Sequence, residues 1–135
     1  MSEKLVKHIM HSGVIGCGPG TPLAEVVRIL SDTDIHALVV TGADGEVVGI
    51  LSHMDVIPYH DKELSEYTAA EVMTRKVISI LPGAQVGEAI KVMVDNHIHR
   101  LVVTEDDDGK LKPVGIVSTT DIVREMRGSK WTWYL

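Results

Sequence analysis

The chain has 135 residues and a formal net charge of −6, with 44% apolar and 24% charged residues. This apolar share is typical of a chain with a packed interior and argues against intrinsic disorder. The negative charge argues against a nucleic-acid-binding protein, which needs a basic face for the phosphate backbone.

The first half of the chain predicts the order strand, helix, strand, strand, helix. Gly13-Val14-Ile15 is a short apolar stretch before Pro-Gly and predicts the first strand. Apolar residues from Leu23 to Leu30 follow the spacing of one helix face. Thr21 before Pro22 suits an N-cap with Pro at the first helical position. The other elements are strands at Ala37–Thr41 and Val47–Leu51, separated by turn residues, and a short helix that ends at Pro58.

The second half predicts the same five elements. A strand at Val77–Ile80 precedes a helix with the apolar positions Val86, Ala89, Ile90 and Met93. Between the halves, the polar linker His60–Tyr67 is expected to be exposed. The other elements are strands at Leu101–Thr104 and Val114–Val117, an acidic loop at Glu105–Gly109, and a closing helix.

The two halves are copies of one unit. Ten of the 23 residues at positions 19–41 are identical to the residues 63 positions later. After three extra residues in a turn, the match resumes at a spacing of 66, so that Val48-Gly49-Ile50 corresponds to Val114-Gly115-Ile116. A unit of roughly 60 residues buries little by itself, so the copies must share a domain.

The expected fold class is therefore α/β (α+β). Two β-α-β-β-α repeats pack sheet to sheet with pseudo-twofold symmetry and leave clefts between them. We assign residues 1–62 to the first repeat, 63–127 to the second, and 128–135 to an aromatic tail with Trp131, Trp133 and Tyr134. Aromatic residues favour interfaces, so the tail is expected to be buried in a contact.

A motif of the form Gly-apolar-apolar-Ser-x-x-Asp occurs twice. It begins at Gly49 and ends at Asp55, and begins again at Gly115 and ends at Asp121. With the strand and helix order, this motif resembles the CBS domain family, whose domains occur in pairs. The second repeat, from His97 to Asp121, resembles the nucleotide-binding repeats of the gamma subunit of AMP-activated protein kinase.

The resemblance implies a role for each matched residue. The Asp accepts hydrogen bonds from the two ribose hydroxyls, Ser and Thr neighbours approach the phosphate or ribose, Arg100 reaches the phosphates, and apolar strand residues enclose the adenine. The candidate ligand-binding residues are Asp121, Ser118, Thr120, Thr119, Arg100, Ile116, Val77, Ile78 and His99 in the second repeat, with Asp55, Ser52, His53 and Ile50 in the first.

The residues themselves allow this chemistry. A carboxylate offers two acceptor oxygens to a diol, a helix N-terminus suits a phosphate, and Arg offers it several donors. Ser-x-x-Asp is also the pattern of a helix capping box, and one side chain can serve both purposes. The first repeat has Ala37 in place of Arg100 and His53-Met54 in place of Thr119-Thr120, so the second site is expected to be the stronger.

Three functions remain open. The first is a non-catalytic regulatory module that binds AMP, ADP or ATP, with S-adenosylmethionine, NAD or a cyclic dinucleotide as other ligands. It needs no cofactor, forms a homodimer and signals to an effector protein on another chain. The second is a small nucleotide-processing enzyme that uses the Asp and His residues of the cleft. The third is a structural dimeric scaffold with vestigial sites.

Other chemistry is less favoured. His97-x-His99 would place two imidazoles on one strand face with His36 across the repeat, but a zinc site needs three or four ligands, so no metal is expected. Residues 16–20 lack the Gly-Lys-Ser/Thr ending of a phosphate loop. A catalytic Cys17 would need a base partner, and the sequence identifies none.

The compartment follows from what the chain lacks. With one Cys, no internal disulfide can form, which favours a reducing compartment. No stretch reaches the roughly 20 apolar residues of a membrane helix, and Met1 to Lys7 lacks the apolar segment of a secretory signal. We therefore expect a cytoplasmic protein without a membrane partner.

Overall fold

The computed structural model describes residues 4–33, 35 and 37–127. They divide into two compact units. The second-repeat unit contains residues 4–12, 78–105 and 114–127, and the first-repeat unit contains the described part of 13–77 together with 106–113. The predicted aromatic tail and His36 lie outside the described residues. No helix formed by the described ranges is long and apolar enough to cross a membrane.

The second-repeat unit is built on a four-stranded sheet. Its elements are α1 (Val6–Ile9), β1 (His11–Ser12), β5 (Ser79–Ile80), α5 (Val86–Asn96), β6 (Arg100–Asp107), β7 (Lys110–Ser118) and α6 (Thr119–Arg127). The strand order is β1-β7-β6-β5. Strand β5 pairs with β6 in parallel, and β1 pairs with β7 in antiparallel fashion.

The first-repeat unit is built on a three-stranded sheet. Its elements are β2 (Gly16–Cys17), α2 (Leu23–Asp32), β3 (Ala37–Thr41), β4 (Val47–Ser52), α3 (His53–Val56), 3-10 turns at Ile57–Tyr59 and Leu64–Glu66, and α4 (Ala69–Val72). The strand order is β2-β3-β4. Strand β2 pairs with β3 in parallel, and β3 pairs with β4 in antiparallel fashion.

Each unit has its own apolar core. In the first-repeat unit the buried face of α2, with Leu23, Val26 and Leu30, packs with Leu38 and Leu51 of the sheet. The equivalent core of the second-repeat unit contains Val6, Ile80, Ala89, Met93, Leu101, Val103, Val117 and Ile122. The helical spacing and the short apolar runs therefore identified the core-facing elements, and the predicted α+β class with two sheets is confirmed.

Two short helices, α1 and α4, were not expected from the sequence. Both have four residues, which is too few for a visible apolar period. Val6 of α1 is fully buried in the second-repeat core, and its N–H donates to the carbonyl of Ala84 at 2.8 Å. Ala69 of α4 is fully buried in the first-repeat core. Each unit thus contains a short helix from the beginning of the other repeat.

Several predicted boundaries were wrong. The first strand is Gly16–Cys17, because these residues pair with Val39 and Val40. Helix α2 has Pro22 as its N-cap residue, with an extended ψ of 143°, and so Thr21 is not the cap. The acidic loop shrinks to a two-residue turn between β6 and β7, since Asp108 and Gly109 both have positive φ, as a type I′ turn requires.

The end of the first repeat and the linker were also wrong in detail. Helix α3 ends at Val56, and Pro58 lies inside the following 3-10 turn, where its missing N–H costs nothing. The linker is not wholly exposed, because Leu64 and Tyr67 pack against the first-repeat core. The ring of Tyr67 also meets the ring of Tyr59 edge to face, with centroids 4.9 Å apart.

Candidate functional site

The second-repeat motif forms a compact polar cluster where β7 ends and α6 begins. The N–H and the hydroxyl of Ser118 both donate to Oδ2 of Asp121, at 2.8 and 3.0 Å. The Asp121 N–H donates back to the Ser118 hydroxyl at 3.3 Å. This is a capping box, and it fixes the carboxylate at the positive end of a nine-residue helix.

The second oxygen of Asp121, Oδ1, makes weaker contacts with the protein than Oδ2 does. Oδ1 lies 3.5 Å from Nη1 of Arg124, at the outer limit of a hydrogen bond. The Arg124 side chain is 64% exposed, whereas that of Asp121 is only 14% exposed. An ion pair with so exposed a partner contributes little to the stability of the fold. Asp121 is therefore a mostly buried carboxylate with one oxygen that another donor can take over at small cost.

Most of the other residues predicted for the second site belong to the same unit as this carboxylate. The Thr119 N–H donates to the carbonyl of His99 at 2.8 Å, which ties the start of α6 to the residue before β6. Arg100 begins β6 and is half-buried, while Thr120 is exposed. The remaining residues are Ile116 and Ile78, both half-buried, whereas Val77 is half-buried and grouped with the first-repeat unit.

The first-repeat motif forms the same box with one additional bond. The Ser52 N–H and hydroxyl donate to Oδ2 of Asp55 at 2.7 and 3.1 Å. The hydroxyl of Thr74 donates to the other oxygen, Oδ1, at 2.9 Å. Both carboxylate oxygens of Asp55 are therefore engaged by the protein. His53, at the start of α3, is exposed, and Ile50 is half-buried.

Thr74 is held in place by the main chain of Ile50. The Ile50 N–H donates to the Thr74 carbonyl at 3.0 Å, and the Thr74 N–H donates to the Ile50 carbonyl at 2.9 Å. In the second-repeat unit the corresponding pair is His11 and Ile116, where β1 meets β7. The neighbouring segment therefore pairs with the motif strand in both units, but it carries Thr74 in the first-repeat unit and His11 in the second-repeat unit.

The glycine of each motif is explained by this neighbouring segment. A Cβ on Gly115 would lie 2.7 Å from the carbonyl oxygen of His11 and 2.8 Å from Sδ of Met10. A Cβ on Gly49 would overlap the side chain of Met73. Glycine at both positions lets the segment approach the strand closely enough to pair with it.

The metal and cysteine hypotheses gain no support from the geometry. His97 is the C-cap of α5, with a left-handed φ of 52°, so the predicted pairing of His97 and His99 on one strand face is wrong. No group of three or more His, Cys, Asp or Glu that could hold a metal occurs in the described ranges. Burial raises the pKa of the Cys17 thiol, and a hydrogen bond with Thr21 lowers it in part, which leaves a thiol of low reactivity.

Thr74 and His11 were missed by the sequence analysis. A signal for both was present, since Met10 and Met73 lie 63 residues apart, as do Val14 and Val77. Extending the repeat alignment toward the N-terminus places His11 opposite Thr74. What the alignment could not give is the hydrogen bond from Thr74 to Asp55, which joins residues 19 positions apart.

Sequence comparison places the chain among proteins with the same repeats. The CBS domain model matches residues 6–61 and again residues 69–128. An uncharacterized protein of Methanopyrus kandleri is 30% identical over 127 residues, which are 92% of this chain and 63% of that protein. The chain spans only 25% and 24% of the length of two further relatives from Methanocaldococcus jannaschii.

Solved structures give the same result. The CBS domain pair of protein MJ0100, in complex with 5′-methylthioadenosine and S-adenosyl-L-methionine, superimposes with a TM-score of 0.83 at 29% identity and covers 96% of this chain and 100% of that one. The cytosolic domain of the Mg²⁺ channel MgtE in complex with ATP has a TM-score of 0.74 at 26% identity and covers 92% of this chain and 49% of that one. The chain therefore belongs to the CBS domain family and contains two CBS domains.

Proposed function

We propose that this CBS pair binds an adenosine-containing ligand at Asp121 and that binding regulates a partner protein without catalysis by the chain itself. The observation that carries the proposal is the mostly buried Asp121 carboxylate, whose Oδ1 has, among the described residues, a single 3.5 Å contact with the exposed Arg124. Since Oδ2 is engaged by Ser118, the two ribose hydroxyls are expected to donate to the lone pairs of Oδ1. Related CBS structures that hold adenosine-containing ligands support this choice.

The surroundings of Asp121 favour a ligand with a phosphate. Arg100 lies next to His99, whose carbonyl is bonded to the start of α6, and Thr120 is exposed on the first turn of that helix. Main-chain N–H groups at a helix N-terminus and an Arg side chain both stabilise an anion. We therefore place AMP, ADP or ATP ahead of S-adenosylmethionine, 5′-methylthioadenosine and NAD as ligands.

An equilibrium titration of the purified chain tests the proposal. The probes are AMP, ATP, S-adenosylmethionine, 5′-methylthioadenosine and GMP, with GMP as the test of base preference. We expect Asp121→Asn to weaken binding of the adenosine probes by about tenfold or more, because a hydrogen bond to a charged group contributes about 1.5–3 kcal/mol.

Asp95→Asn is the matched control. Asp95 lies on α5 of the same unit and pairs with Lys91 at 4.0 Å on an exposed face. It should bind the probes as the wild type does. If the wild type binds none of the adenosine probes, or if Asp95→Asn weakens binding as much as Asp121→Asn, the proposal is wrong.

A homodimer is the second part of the proposal. Helices α5 and α6 of the second-repeat unit expose the apolar residues Val94, Val123 and Met126, which are 64%, 63% and 78% exposed. The position that corresponds to Val94 in the first repeat is Ser31, which is exposed. An exposed apolar helix face suits contact with a second copy of the chain.

Sedimentation of Met126→Glu tests the dimer. Because a charge at this position would be buried in the contact, the variant should sediment as a monomer at concentrations where the wild type is a dimer. Arg124→Glu places the same side chain on α6 at an exposed polar position and should leave the dimer intact. A monomeric wild type would exclude this part of the proposal and would leave the ligand proposal standing.

A further inference from the structure

The two motif carboxylates differ in how many hydrogen bonds they can still accept. A carboxylate accepts about four hydrogen bonds in all. Asp55 receives the Ser52 N–H, the Ser52 hydroxyl and the Thr74 hydroxyl, so three of these positions are filled. Asp55 therefore has room for one further donor, whereas a ribose diol brings two.

Asp121 can still accept the two hydrogen bonds of a ribose diol. It receives the Ser118 N–H and the Ser118 hydroxyl on Oδ2, and Oδ1 faces Arg124 at 3.5 Å. The residue in the place of Thr74 is His11, which pairs with Ile116 as Thr74 pairs with Ile50. No Thr hydroxyl is therefore placed beside Oδ1 of Asp121 by this segment.

We infer that Thr74 and His11 determine which repeat accepts a ligand. The Thr74 hydroxyl occupies the position of a ribose hydroxyl on Asp55 and closes the first-repeat site, so the chain binds one ligand, at Asp121. Thr74 is thus a specificity-determining residue that acts by occupying an acceptor. This inference rests on the proposed function and adds to it the number of ligands and the residue that sets that number.

The first experiment opens the closed site. Thr74→Ala removes the hydroxyl and leaves space beside Oδ1 of Asp55. We titrate wild type, Thr74→Ala and Thr74→Ser with 5′-methylthioadenosine and with AMP by calorimetry, and expect one ligand per chain for wild type and Thr74→Ser. Thr74→Ala should bind two. Asp55→Asn in the otherwise unchanged chain should alter the affinity less than about twofold. This is less than about 0.5 kcal/mol, since a tenfold change in affinity corresponds to about 1.4 kcal/mol.

The reciprocal experiment closes the open site. His11→Thr places a hydroxyl where the paired segment of the other unit holds Thr74. His11→Val has the same branched shape without the hydroxyl, so any contact made by the imidazole itself is lost equally in both variants. His11→Thr should therefore bind the two probes about tenfold more weakly than His11→Val.

The outcomes separate this inference from the proposed function. Binding of neither probe by the wild type or by Thr74→Ala would refute the proposed function. Binding of two ligands by the wild type, an equal loss from Asp55→Asn and Asp121→Asn, or equal affinities of His11→Thr and His11→Val would refute the inference alone. If Thr74→Ala fails to fold, the Asp55→Asn and His11 variants still decide the question.

Discussion

Ser118 directs both its N–H and its hydroxyl to a single oxygen of Asp121, Oδ2, at 2.8 and 3.0 Å. The bond returned by the Asp121 N–H is longer, at 3.3 Å. The pair caps α6 and leaves Oδ1 with the 3.5 Å contact to Arg124. The capping interpretation and the ligand interpretation of Ser-x-x-Asp are therefore compatible, because they use different oxygens.

Ser118→Ala should destabilise the ligand-free protein. It removes the hydroxyl that caps α6, and the free energy of unfolding in urea should fall by about 1 kcal/mol. Thr120→Ala removes another hydroxyl of the same turn, which is exposed, and should shift stability by less than about 0.5 kcal/mol. Equal effects of the two substitutions would contradict a capping role for Ser118.

Gly115→Ala should destabilise the protein more than Gly49→Ala. The new Cβ at position 115 meets a main-chain carbonyl, that of His11, which cannot turn away. At position 49 the three nearest atoms all belong to the side chain of Met73, which is flexible. We expect a loss of about 1–3 kcal/mol for Gly115→Ala, measured by urea denaturation.

Gly87→Ala is the control for these glycines. Gly87 lies inside α5, and nothing stands within 4 Å of a Cβ built there. The substitution should raise stability by up to about 1 kcal/mol, since Ala favours a helix. If Gly115→Ala behaved like Gly87→Ala, the close approach of the β1 segment would be disproved.

Val6→Ala should destabilise the second-repeat unit, although Val6 lies more than 70 residues before the other members of that core in the chain. Val6 is 0% exposed in a core formed mostly by residues after 78. Loss of two buried methyl groups costs about 2 kcal/mol. Leu81→Ala truncates an apolar side chain that is 57% exposed and should change the free energy of unfolding little. Similar losses from the two would show that Val6 is not a core residue.

His97→Gly should stabilise the protein. His97 adopts a left-handed φ of 52° as the C-cap of α5, a conformation that costs about 1 kcal/mol for a residue with a Cβ. A rise of that size in the free energy of unfolding is expected. Asn96→Gly, one residue earlier and still helical, should instead lower it by a few tenths of a kcal/mol. A loss of stability in His97→Gly would mean that the imidazole makes a contact of greater value.

Local pattern was sufficient for the longer elements. The helix face from Leu23 to Leu30 and the apolar run Ala37–Thr41 lie where periodicity and β-propensity placed them. The motif residues Ser118 and Asp121 are adjacent in space for the same reason, since capping depends on a spacing of three along one helix turn.

What the sequence pattern did not reveal depends on pairing between distant residues. The first strand lies at Gly16–Cys17 and not at the predicted residues 13–15, because it pairs with Val39 and Val40. The burial of Val6 and the bond from Thr74 to Asp55 both join stretches that no local period connects. Residue type and spacing were therefore sufficient to predict the contact between Ser118 and Asp121, while the difference between Asp55 and Asp121 required the folded arrangement.

The interleaving of segments has a consequence for any half-length version of this protein. The stretch that carries Val6 completes a core whose other members follow residue 78, and the stretch that carries Ala69 completes a core whose other members come before it. A single copy, cut out alone, would lack the small helix that seals its interior. Such a fragment could obtain that helix from a second copy of itself, as in a domain-swapped dimer. In the tandem chain the same exchange takes place between two repeats of one molecule.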